Sequence, residues 1–229
     1  MTSPDYGTAF SAWKHAAGAH WDAYTQHAFV EGLRDGSLSN SAFLHYLVQD
    51  YVFLIHFSRA WALAVVKAET LDEMKACAAT VDALVNHEMQ LHVSICAEAG
   101  ITQSQLETAE EATGNMAYTR YVMDAGFSGD FADMMAALAP CVLGYGAIGA
   151  RLGGQFEPGT PYQAWIDTYS GDDYQTLCRD VGGLIDGALI RRLGDDFANA
   201  PRWGHLTNRF VTATRLEVGF WDMGLSGPE

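Results

Sequence analysis

Phe43-Leu44-His45-Tyr46-Leu47-Val48-Gln49-Asp50-Tyr51-Val52-Phe53-Leu54-Ile55 decides the fold. Its apolar residues cover every side of a helical wheel, which predicts a buried helix rather than one with a wet face. Ser39 can cap such a helix, which then runs from about Ser41 to Ala68. Working outward, no proline occurs between Pro4 and Pro140, and the intervening sequence is rich in Ala, Leu, Met, Glu and His. A proline-free run of that length predicts long helices. Alternating Val/Ile/Thr runs, the mark of strands, are nearly absent. The fold class is therefore all-α.

Ser3-Pro4 reads as an N-cap followed by proline at the first helical position, opening a helix to about His27. Phe29–Leu33 continues as a short helical turn, broken by Gly36. Thr70-Leu71-Asp72-Glu73 fits a capping box and predicts a helix to about Ala99, stopped at Gly100. Thr102–Gly114 is polar and reads as loop with a helical turn, followed by a helix from about Asn115 to Ala125. After Ser128-Gly129 an apolar helix begins near Asp130, and Gly153–Pro161 is the clearest loop. Helices over Tyr162–Tyr169, Asp172–Leu193 and Gly204–Met223 complete about eight segments. No repeat and no shift of composition marks a boundary, so residues 1–229 are expected to form a single domain.

A chain of 229 residues with 49% hydrophobic content can bury a core without staples, which excludes a disordered chain. Its formal net charge of −15, from 13 basic and 28 acidic residues, excludes nucleic acid and anionic membranes as natural partners. Four cysteines, none in a Cys-x-x-Cys pair, fit thiols in a reducing cytoplasm. The N-terminus has no basic segment followed by an apolar one, so no signal peptide is expected. Met134–Ala150 approaches membrane-spanning length, but its Ala, Gly and Pro140 content reads as a buried helix.

Within that segment lies Pro140-Cys141-Val142-Leu143-Gly144-Tyr145. Cys141 and Tyr145 are one turn apart on one face, a thiol and a phenol on an otherwise apolar helix. Such a pair can make a nucleophile with a polar companion in a dry pocket, whereas a small buried hydrophobe is the commoner fate of a free cysteine. Asp50 is the second candidate, because a carboxylate among apolar neighbours must be paired or serve a site. Glu217, in Leu216-Glu217-Val218-Gly219-Phe220-Trp221, is one turn from Phe220. A carboxyl beside an aromatic wall can become a general acid, although on spacing alone an exposed glutamate is the plainer reading.

Glu88 and His92 form a polar pair one turn apart, but at four residues rather than the three of helical di-iron sites. With His15, His20 and His27 they leave a haem- or di-iron-dependent oxidative enzyme as an alternative. Gly144-x-Gly146-x-x-Gly149 matches the dinucleotide-loop spacing but follows no strand, and is set aside. Phosphate loops, nucleophile elbows and zinc-spaced cysteines are absent.

Taken in order, these pieces resemble the TenA family, also called thiaminase II or aminopyrimidine aminohydrolase. The resemblance covers nearly the whole chain: Trp13, the Phe29–Gly36 turn, Phe43–Asp50, Glu88-Met89-x-x-His92 and Ala117-Tyr118-Thr119. It continues through Ala137–Cys141 with Tyr145, Tyr162-x-x-Trp165-Ile166-x-x-Tyr169, and Glu217-x-x-Phe220-Trp221. It implies a haem-oxygenase-like helical bundle, a homotetramer, and hydrolysis of thiamin or its aminopyrimidine breakdown products in thiamin salvage, with no cofactor and no metal. It further implies that Cys141 is the nucleophile and Glu217 the acid/base. Asp50 would bind the ring's amino group and a ring nitrogen, Tyr118 and Phe220 would line the ring, and Tyr145 and Tyr169 would tune the polar side. Phe53 stands where many members carry tyrosine, so one hydroxyl of the expected site is missing. A non-catalytic pyrimidine-binding or regulatory protein is the remaining alternative.

Overall fold

The computed structural model describes residues 4–157 and 159–227. The Ser3 cap lies outside the described residues. Helix α1 (Thr8–Ala17) begins instead after Gly7, where Thr8 and Ala9 donate backbone N–H bonds to the Asp186 carboxylate. The expected continuous helix to His27 is broken at Gly18, whose φ of 50° favours glycine, and α2 (Ala19–Thr25) follows. Helix α3 (Ala28–Asp35) starts on a His27 cap and ends at Gly36 in the left-handed region.

Helix α4 (Asn40–Lys67) carries the opening stretch and is capped by Ser39. The Thr70–Glu73 capping box opens α5 (Leu71–Ala83), as its sequence predicts. The run to Glu98 is not one regular helix, however. A widened π turn spans Leu84–Glu88 before α6 (Met89–Glu98) resumes. Then come α7 (Gln103–Glu107), α8 (Thr113–Ser128), α9 (Phe131–Leu152), α10 (Gln163–Ser170), α11 (Asp172–Leu193) and α12 (Trp203–Ser226). Among the described residues twelve α-helices thus stand where about eight helical segments were expected, and no strand occurs. Helix α9 is long and apolar enough to cross a membrane by composition, but 89% of that apolar window is buried in the protein.

The helices gather into two compact units, each made from two separate pieces of chain. One unit comprises residues 1–38 with 135–218. Its core is aromatic: Trp13, Phe10, Trp21 and Phe210 pack with ring centroids 5.4–6.1 Å apart. Here the glycines of α9 find their purpose. A Cβ on Gly144 would overlap the Tyr24 ring, one on Gly146 the Cys178 sulfur, and one on Gly149 the Tyr169 backbone carbonyl. Glycine at that spacing lets neighbouring chain approach α9, and no phosphate loop is involved. The other unit comprises residues 39–134 with 219–229, organised around α4.

Candidate functional site

In the unit built around α4, Tyr46, Asp50, Phe53 and Phe57 recur at spacings of four, three and four, and so share one face. Asp50 is buried, 4% exposed. Tyr46 donates its hydroxyl to Asp50 Oδ2 at 3.3 Å, and His92 Nε2 lies 2.6 Å from the same oxygen. The other ring nitrogen of His92, Nδ1, sits 2.9 Å from the Glu88 carbonyl. Burial by itself would lower the His92 pKa, but the hydrogen bond and charge of Asp50, with help from Glu88, raise it to about 9.

Phe53 is the centre of the aromatic wall beside Asp50. Its ring lies 5.3 Å from Tyr118, 5.4 Å from Phe220 and 5.2 Å from Phe57, centroid to centroid. Gln49 fixes the register of α8 that brings Tyr118 there. Asn115 donates to the Gln49 backbone carbonyl at 2.8 Å, and the Gln49 amide bonds the Glu110 carbonyl and the Ala112 N–H at 2.9 and 3.0 Å. Phe53, Tyr118 and Phe220 are therefore brought together, and Asp50 lies one turn before Phe53 on the same face of α4. A separate cavity of about 770 Å³ opens along the flank of α4 lined by Ser41, Leu44, His45 and Val48, and Asp50 does not line it.

In the other unit, α9 presents Cys141 one turn before Tyr145. Pro140, inside the helix, removes the backbone donor that the Ala136 carbonyl would otherwise receive. Tyr24 donates to the Pro140 carbonyl at 3.2 Å. Tyr145 meets Tyr169 at 5.0 Å between ring centroids, and Tyr169 in turn meets Trp165 at 4.5 Å and Tyr174 at 4.8 Å. Gln175 holds the Tyr169 turn in place, donating to the Tyr169 and Gly146 carbonyls. Glu217, on α12, is only 1% exposed. The spacing-based reading of an exposed glutamate is thus corrected: its helical face is turned into the core.

The four cysteines are thiols of two kinds. Cys77, Cys96 and Cys178 are fully buried, whereas Cys141 is partly accessible. Burial, with the Glu73 charge, pushes Cys77 up to about 12, and burial does the same for Cys178 and raises Cys96. None of those three can supply thiolate at neutral pH.

Glu88 and His92 do not form a ligand pair. His92 spends one nitrogen on Asp50 and the other on the backbone of Glu88 rather than its carboxylate. His15 and His20 are exposed, and His27 caps α3. Among the described residues no group of three or more His, Cys, Asp and Glu side chains is arranged to hold a metal ion. Sequence reasoning missed His92 as the partner of Asp50. The available signal was the buried aspartate itself, which demands a donor from another helix.

A solved structure of a TenA family transcription regulator from a Silicibacter species superposes with a TM-score of 0.96 at 60% identity, covering 99% of this chain and 100% of that one. Several curated relatives are named aminopyrimidine aminohydrolase. The one from Halalkalibacterium halodurans is 34% identical over 89% of this chain and 89% of its own length. A domain of unknown function from Shewanella denitrificans, described as having a heme oxygenase-like fold, matches at TM-score 0.70 over 93% of this chain and 90% of that one, with 12% identity. The fold is therefore the haem-oxygenase-like helical one. The model of the TENA/THI-4/PQQC family matches residues 14–227. On that match, spanning nearly all of its length, the chain belongs to the TENA/THI-4/PQQC family.

Proposed function

We propose that this protein is a hydrolase acting on an aminopyrimidine carrying a substituted methylene, either a thiamin breakdown product or thiamin itself, as part of thiamin salvage. The observation that bears most weight is the buried Asp50 carboxylate on the face of α4 that carries Phe53, whose ring packs against those of Tyr118 and Phe220. A flat heterocycle with an exocyclic amine suits that combination: the rings take its faces and the carboxylate takes its N–H edge. The names of the curated relatives support the same substrate class.

Chemically, the methylene holds its amine tightly, and a helper is needed to expel it. In the proposed reaction the Cys141 thiolate adds to a ring carbon, making the ring electron-rich. The ring then pushes out the amine, which leaves with a proton as ammonia. Water adds to the exocyclic carbon, and expulsion of the thiolate restores the ring. The net change is substrate plus water giving the hydroxymethylpyrimidine and ammonia from aminomethylpyrimidine, or the hydroxymethylpyrimidine and the free thiazole from thiamin. Glu217 serves as the acid/base that protonates a ring nitrogen during attack and recovers the proton afterwards. Tyr145 and Tyr169 supply the polar side of the reacting centre. Asp50 binds the ring.

The test is an ammonia-release assay with aminomethylpyrimidine and thiamin side by side. Ammonia released at enzymatic rates from the former, or hydroxymethylpyrimidine formed from the latter, is the expected outcome; neither product with either compound defeats the reading. A regulatory role is the second reading, suggested by the name of the Silicibacter structure. A net charge of −15 speaks against direct contact with nucleic acid, and binding without ammonia release would favour a ligand sensor.

Homotetrameric assembly belongs to the same proposal. Val66, Leu71 and Phe127 are 76%, 64% and 71% exposed, an apolar display that suits contact with further copies. Sedimentation equilibrium is expected to give the mass of four chains, and a monomer at micromolar concentration would refute it.

A further inference from the structure

We propose that His92 is a positioning residue that holds Asp50 as a one-sided acceptor, with Oδ2 occupied and Oδ1 presented to the amino group of the bound ring. The proposal rests on the assignment of Asp50 as the ring-binding residue.

The protons can be placed by elimination. The Glu88 carbonyl can only accept, so His92 Nδ1, 2.9 Å away, must carry hydrogen. The contact of Nε2 with Asp50 Oδ2 at 2.6 Å is shorter than a neutral N–H···O bond, the direction in which charge assistance shortens a hydrogen bond. Nδ1–H with Nε2–H is an imidazolium, and its partner is then a carboxylate. Both side chains are 6% exposed, so the pair is desolvated together and each charge depends on the other. Tyr46 adds a second donor to the same oxygen. Both donors land on Oδ2, which leaves acceptor capacity on Oδ1. A carboxylate gripped in this way cannot turn, so the direction in which it accepts an N–H is fixed.

The π turn at Leu84–Glu88 lies directly before His92 and sets the register from which its ring reaches across to α4. The charged groups bearing on His92 are Asp50 from α4 and Glu88 from the π turn, with Tyr46 sharing Asp50. With a pKa raised from 6.5 to about 9, the charged pair stabilises the fold fully below about 6.5, and that contribution is lost as pH rises through about 9.

Removing the charge while keeping a donor isolates this role. In His92→Gln the amide can still bond Asp50, but the buried carboxylate loses its counter-charge. Calorimetric titration with aminomethylpyrimidine is expected to show at least about tenfold weaker binding than wild type at neutral pH, the scale of one charged hydrogen bond. Wild-type affinity is expected to fall as pH rises through about 9, where His92 loses a proton and with it the grip on Asp50, and His92→Gln is expected to lack that fall. A merely structural lesion would leave the wild-type pH dependence in place, and that result, or unchanged affinity at neutral pH, overturns the proposal. On the wild-type protein, nitrogen NMR of His92 is expected to report an imidazolium at pH 8, and a neutral ring there overturns it independently of how the variant folds. If the wild type binds the pyrimidine but turns over neither aminomethylpyrimidine nor thiamin, the hydrolase reading fails while the titrations still decide this one. If the wild type does not bind it at all, the role of Asp50 and the proposal fall together.

Discussion

Cys141→Ser is expected to abolish ammonia release while leaving aminomethylpyrimidine bound with near-wild-type affinity. The serine hydroxyl replaces the thiol at almost the same volume, so the fold has no reason to change. What it lacks is acidity. A free thiol ionises near about 8.5, whereas an alkyl hydroxyl stays protonated throughout the neutral range, and without an activating base it does not attack the ring. Turnover is expected to fall by about three orders of magnitude or more, as when a covalent nucleophile is lost elsewhere. Ring binding, assigned to Asp50 and the Phe53 cluster, is expected to remain within about threefold. Steady-state ammonia release together with calorimetric titration separates the two. Near-normal turnover in the serine variant would remove covalent catalysis from the proposal. Loss of binding in parallel with turnover would instead make Cys141 part of the ring pocket.

The second large effect is on stability. Gly149→Ala is expected to destabilise the protein and to disturb the aromatic cluster at Tyr169 together. The added methyl would overlap the Tyr169 backbone carbonyl, and backbone cannot swing aside as the end of a flexible side chain can. Forcing atoms into packed space costs about 1–3 kcal/mol or more, and here the displaced group is held by Gln175. At this chain length about 2–4 °C of Tm is lost per kcal/mol, so a drop of several degrees is expected by calorimetry. Gly183→Ala is the matched control. It adds the same methyl on α11 where nothing lies within 4 Å, and helix propensity favours alanine, so Tm is expected to hold or rise. Equal Tm for the two variants would show that α9 has room that its glycines do not need.

These two residues illustrate how much of the molecule was legible in the sequence. The reading of α4 and α11 matched the helices closely, because a proline-free apolar run and flanking glycines leave little choice. The Thr70–Glu73 box opened its helix as expected. Gly18 was missed because the residues on both sides favour helix and only the positive φ breaks it. The π turn was missed for a related reason: its residues suit an α-helix, and its extra residue per turn is a property of packing. Glu217 was read as exposed because one glutamate among aromatics fits either face, and only the three-dimensional setting selects the inner one. Glu88-x-x-x-His92 drew attention to a pair within one helix, while the bond that matters joins His92 to Asp50, 42 residues away. Long-range pairing of this kind leaves no periodic trace.

The interleaved make-up of the two units has a consequence for biogenesis. Residues 1–38 leave the ribosome long before residues 135–218 that complete their unit, and the α4 unit waits for the final segment with Phe220 and Trp221. Nascent chains must therefore hold apolar helices unmatched until residues 135–218 and the segment with Phe220 and Trp221 have been made. A stalled or truncated product ending before residue 219 would leave both Tyr46 and Phe53 without the rings that cover them, an obvious client for chaperones and proteases.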